Sequence, residues 1–97
     1  MVRSIITNDL KHCFVCGTTN NIQYHHVIYG KNRKISDQDG LIVPLCIFHH
    51  TGSNYGVHGK LGHKLDIELK KKAQEKWQEH YQKTVDDFIK RYGKSYL

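Results

Sequence analysis

The chain has 97 residues, which is enough for one domain, spanning 1–97. It carries 15 Lys and Arg against nine Asp and Glu, for a net charge of +6, and only 38% of it is apolar. It lacks the run of about 18 apolar residues that a membrane helix needs, and MVRSIITNDLKH is too poor in apolar residues for a signal peptide. A soluble, cytoplasmic protein with no membrane partner is the expectation, and the basic balance points to a polyanion, nucleic acid before an anionic lipid surface.

Along the chain, Ile5 and Ile6 are the first residues expected to pack on a core. Cys13-Phe-Val-Cys16-Gly17 reads as a tight turn with two thiols. Residues 22–29 (IQYHHVIY) are β-branched and aromatic and read as a strand. Residues 30–40 (GKNRKISDQDG) are polar and read as a loop. Residues 41–45 (LIVPL) read as a second strand, with Pro44 at an edge or near the strand's end. A short helix or turn follows over 46–50, then a glycine-containing loop, TGSNYGVHG. Leu61, Leu65, Leu69, Ala73, Trp77 and Tyr81 recur every four residues and predict an amphipathic helix over about 62–82. On it Lys70, Lys71 and Lys72 read as a wet face. Thr84 with Asp87 three residues on resembles a capping box for a last helix, Val85 to Tyr92, stopped by Gly93. Trp77, Tyr81, Phe88 and Tyr92 are spaced as core, or as a homodimer face of the C-terminal helices.

Three cysteines cannot pair off and nothing marks the chain as secreted, so a disulfide framework is not expected. Each instead falls in a two-residue-gap pair: Cys13-x-x-Cys16 and Cys46-x-x-His49. Two such turns can close a tetrahedral zinc site. His12 is an alternative fourth ligand. A closed four-ligand site has no position for water, so this zinc is expected to hold the fold rather than perform chemistry.

Six histidines (His25, His26, His49, His50, His58 and His63) lie within one short stretch of the chain. His25 and His50, with His58 as a candidate third ligand, suggest a second metal site, with another imidazole left as a base. His25 and His26 are adjacent on a strand and should face opposite ways. Serving one site together requires a twist or the strand's end.

The stretches CFVCG, YHHVIYG, DGLIVPLCIFHH and YGVH, over about residues 12–58, resemble the HNH endonucleases, especially the small bacteriophage and prophage type. That resemblance implies an α+β fold: a ββα-metal (His-Me finger) core stapled by a zinc knuckle, with residues 61–97 as two C-terminal helices outside the motif. It implies a bacterial or phage-infected host cell, DNA as partner and divalent-metal-dependent hydrolysis of phosphodiesters. His26 would be the general base. His25 and His50 would be ligands of the catalytic metal (Mg2+, Mn2+, Ni2+ or Zn2+), with His58 as a third. Cys13, Cys16, Cys46 and His49 would hold the structural Zn2+. The family's central Asn position is Leu41 here, and Asp39, the nearest polar residue, is expected to pin the loop and orient the base.

Lys31, Arg33 and Lys34 follow the doubled histidine and are expected to contact phosphates. The rival to the enzyme is a non-catalytic zinc-stapled module that binds nucleic acid or another protein.

Overall fold

The computed structural model describes residues 3–97; Met1 and Val2, which open the stretch read above for a leader, lie outside them. The architecture is α+β. Strand β1 (Ile22–His26) pairs antiparallel with β2 (Ile42–Cys46), and four α-helices surround this two-stranded sheet. The register sets Ile22 opposite Cys46, His25 opposite Val43 and His26 opposite Ile42. Every residue of β2 is buried, as its unbroken apolar sequence requires. Pro44 is tolerated because each strand of a two-stranded sheet is an edge. Its carbonyl accepts the Phe14 backbone N–H at 2.8 Å, which ties the cysteine turn to β2.

The polar segment 30–40 is not a loop. A single 3₁₀ turn (Gly30–Asn32) runs into helix α1 (Arg33–Asp39), which ends on Gly40 at φ +78°. The sequence RKISDQD offers almost no apolar periodicity, so its helix is decided by tertiary contacts. Ser36 and Asp39 are buried, Ile35 packs on the core and the Gly40 carbonyl accepts from Ile5. The neighbouring Ile6 is buried, so the N-terminal isoleucines do pack inward.

Helix α2 is the short Ile47–His50 turn leaving β2. Helix α3 (His63–Tyr81) buries Leu69, Ala73 and Trp77, but Leu61 lies before it and is exposed. Its lysines do not form one wet face: Lys71 and Lys72 are exposed, whereas Lys70 is buried and donates to Asp66 at 2.6 Å. Helix α4 (Val85–Tyr92) carries the full capping box of Thr84 and Asp87 and stops at Gly93. Trp77 meets Phe88 edge-on, with ring centroids 5.3 Å apart, and Phe88 lies 4.6 Å from Tyr92. These aromatics are spent on packing α4 against α3. The exposed apolar residues of α4 are Val85 and Ile89.

Asp39 links the two halves. Its carboxylate accepts from the Trp77 indole at 2.8 Å, the Tyr92 hydroxyl at 2.6 Å, and two nitrogens of Arg91 at 2.5 and 2.8 Å. The end of α1 is thereby fastened to both C-terminal helices. No helix of the described residues is long and apolar enough to cross a membrane.

Candidate functional site

Two groups of ligand atoms converge among the described residues: Cys13, Cys16, Cys46 and His49, and separately His25, His50 and His58, each group lying within 4.8 Å. The first is built by two turns. The Cys13 N–H bonds to the Thr18 carbonyl, the Gly17 N–H returns to the Cys13 carbonyl, and Gly17 sits at φ +79°, a conformation that suits glycine. The second turn is the start of α2, where Cys46 caps the helix and His49 lies one turn on.

Edge lengths test whether this set fits zinc. Zn–S bonds of about 2.3 Å and Zn–N bonds of about 2.0 Å in a tetrahedron place sulfurs about 3.8 Å apart and sulfur from nitrogen about 3.5 Å. Cys16 Sγ lies 3.8 Å from Cys46 Sγ, and His49 Nδ1 lies 3.2 Å from Cys46 Sγ and 3.8 Å from Cys13 Sγ. Burial raises the Cys13 thiol, but backbone N–H groups of Cys46, Cys16 and Val15 outweigh it and bring the pKa down to about 6. Such a thiol readily becomes the thiolate that zinc binds. A Cys3His cluster able to hold a metal ion such as zinc is therefore present. His12 is not part of it: its ring is exposed and pairs with Asp9 at 2.7 Å.

His49 and His50 serve different clusters because neighbouring residues on a helix diverge by about 100°. His50 Nδ1 donates to the Gln23 side-chain oxygen at 2.7 Å, which leaves Nε2 as a free acceptor. Gln23 lies on the same face of β1 as His25. His25 is 1% exposed and its Nε2 is buried with no hydrogen-bond partner. Burial, with His50, His58 and Lys70 nearby, pulls its pKa down to about 3, so it stays neutral at pH 7. His50 is also lowered, chiefly by burial. His58 arrives on the loop after α2, where its N–H donates to the His50 carbonyl at 3.2 Å and the Val57 N–H to the His49 carbonyl. The loop folds this tightly because of its glycines: a Cβ on Gly62 would lie 1.7 Å from the Gly56 carbonyl oxygen. The three rings stand 5.1–5.3 Å apart between centroids.

No protein-family model, curated protein or solved structure matches the chain. The arrangement must speak for itself. Imidazoles gathered in a half-buried cluster suit a divalent transition metal, and the buried Nε2 of His25 has no hydrogen-bond partner among the described residues.

His26 borders the same cleft from the other side. A space of about 230 Å³ is lined by His25, His26, Tyr29, Arg33, His50 and His58. His26 reaches it because it is the last residue of β1, where the strict alternation of faces lapses. Its Nδ1 lies 2.6 Å from an Asp37 oxygen, and its Nε2 lies 2.9 Å from Arg33 Nη2. Here the sequence expectation needs correction. Asp39 does not reach His26, because its carboxylate is taken up by Trp77, Arg91 and Tyr92; Asp37, two residues earlier on α1, contacts His26 instead. The helical spacing of Arg33 and Asp37, one turn apart, could have indicated this had 30–40 been read as helix. Leu41 is fully buried in the core, and its carbonyl accepts from Val27 at 3.0 Å, so its contribution beside the strand is through the backbone.

Of the three basic residues expected to meet phosphate, Arg33 lines the cleft, while Lys31 and Lys34 are exposed on its flank. Neither Tyr29 nor Asp66 carries a spacing signal that marks it for this site. The Tyr29 ring lies 5.5 Å from His58 between centroids, and its hydroxyl donates to Asp66 at 3.1 Å. Asp66 in turn holds Lys70, whose ammonium sits 4.1 Å from the centre of the Tyr29 ring.

Proposed function

We propose that this protein is a divalent-metal-dependent endonuclease of the HNH, ββα-metal type that hydrolyses DNA phosphodiester bonds. The observation that carries the reading is one cleft with a paired histidine on one wall and a three-imidazole cluster on the other. A pure zinc staple needs neither.

The residues divide the work as follows. Cys13, Cys16, Cys46 and His49 would hold a structural zinc. His25, His50 and His58 would hold the second ion through neutral nitrogens, with Gln23 fixing the His50 ring. When bound, that ion supplies charge stabilisation at the phosphate and help for the leaving oxygen. Arg33 Nη2 is a donor only, so Nε2 of His26 must be the acceptor and the ring proton must sit on Nδ1, facing Asp37. This is the tautomer in which Nε2 can take a proton from water, while Asp37 steadies the imidazolium that results. Lys31 and Lys34 would neutralise neighbouring phosphates. The absence of the family's Asn at Leu41 favours a non-catalytic module, but Asp37 performs the positioning for which that Asn would be needed.

The test is plasmid nicking in the presence of added divalent metal. His26→Ala should keep the fold and lose roughly 10² to 10⁴ in rate, the share a general base contributes. His50→Ala should lose metal-dependent activity while retaining one tightly held zinc. A wild-type protein that nicks no DNA with any of Mg2+, Mn2+, Ni2+ or Zn2+ would leave the binding module standing.

A further inference from the structure

We propose that Arg33 is a latch on His26 that substrate itself opens: the guanidinium caps Nε2 in the free protein and exchanges it for a non-bridging phosphate oxygen of the bound strand. The identity of the strand rests on the nuclease reading above. The latch rests on geometry alone. Both ring nitrogens of His26 are engaged, Nδ1 by Asp37 at 2.6 Å and Nε2 by Arg33 at 2.9 Å. A base whose accepting nitrogen is already bonded to a guanidinium cannot take a proton from water. One of the two partners must leave before the ring can act, and it has to be Arg33, because Asp37 holds the proton on the nitrogen where the chemistry wants it.

Arg33 is equipped to move. It is the first residue of α1, exposed, and no carboxylate of the described residues holds it. Exposed Lys31 and Lys34 beside it draw an anion to the same place. A guanidinium–phosphate contact joins opposite charges and can be bidentate, whereas the imidazole offers Arg33 a single uncharged lone pair. Phosphate therefore wins Arg33 from the imidazole. The same movement binds the strand and uncovers the base, so His26 is bared only when a phosphodiester lies in the cleft. Arg33 is thus a positioning residue that couples binding to the availability of Nε2.

Acylation by diethyl pyrocarbonate, read at His26 by peptide mass spectrometry, tests this on the zinc-loaded protein without added catalytic metal. Exposed His80 serves as the internal reference. Arg33→Ala and Arg33→Gln should react at His26 roughly tenfold faster than wild type, the effect of removing one hydrogen bond from a charged donor. Dimethyl phosphate, a probe too small to shield the ring, should accelerate wild type toward the variants' rate and leave both variants unchanged. Sodium chloride at matched ionic strength should leave all three rates unchanged. Equal His26 rates in wild type and both variants, or a wild-type rate indifferent to dimethyl phosphate, would overturn the latch. The readout needs no cleavage, so phosphate-released acylation in a protein that nicks no DNA would keep the latch and discard the nuclease.

Discussion

Replacing Asp39 separates a carboxylate that holds the fold together from Asp37, the one that contacts His26. In Asp39→Ala, the Trp77 indole N–H and the Tyr92 hydroxyl lose their acceptor, and both residues are under 5% exposed. An unsatisfied buried donor costs about 1–3 kcal/mol, so the two together cost about 2–6 kcal/mol. Arg91 adds less, because its side chain is 38% exposed and water takes over its charge; a pair of that kind contributes at most about 1 kcal/mol. The total, about 2–7 kcal/mol, is a large part of the roughly 5–15 kcal/mol that stabilises a domain of this size. Asp39→Asn should be milder. Trp77 and Tyr92 both donate to Oδ2, and a single amide oxygen placed there keeps both bonds while forfeiting half of the Arg91 pair. Urea denaturation followed by tryptophan fluorescence reads the result directly, since Trp77 is the only tryptophan. Asp37→Ala is the contrast: its side chain is 37% exposed, and its loss should move the midpoint little while lowering nicking by wild-type metal-loaded standards. The reasoning fails if Asp39→Ala costs under about 1 kcal/mol, below the penalty of one orphaned donor.

Two further outcomes follow from the clusters. Strong chelation of the purified protein should abolish most helical circular dichroism, because structural zinc contributes about 10–16 kcal/mol of apparent binding energy, comparable to the whole stability; Cys46→Ala should behave alike. Retention of full thermal stability without zinc would refute the staple. The second concerns pH. Burial first, and then the neighbouring imidazoles, hold His25 down to about 3 from 6.5. On unfolding it regains its ordinary value, so below pH 6.5 the unfolded chain binds a proton that the folded chain refuses. Stability therefore falls with falling pH across that window, by roughly 2 kcal/mol at pH 5 at 1.36 kcal/mol per unit. His25→Gln should flatten this part of the pH–stability curve in denaturant melts, and an unchanged slope would count against His25 as the titrating group.

What the sequence determined was whatever is written in local spacing. The two-residue gaps of Cys13-x-x-Cys16 and Cys46-x-x-His49 marked one ligand set, since two side chains on one turn can reach one ion wherever the turn ends up. The four-residue recurrence from Leu61 to Tyr81 marked α3, although Leu61 itself falls before the helix, and Thr84 with Asp87 marked the start of α4, because a capping box involves only its own four residues. Tertiary structure decided the rest. RKISDQD is helical only because Asp39 is anchored by Trp77, Arg91 and Tyr92, and Ser36 is buried; a polar heptapeptide has no periodicity to announce this. Lys70 is buried because Asp66 and Tyr29 receive its charge, which no helical wheel reveals. The choice of Asp37 over Asp39 as the partner of His26 likewise depends on which side of α1 faces the end of β1. One helix turns its buried carboxylate toward the C-terminal helices and the other toward the cleft, and only packing in three dimensions assigns a carboxylate to either.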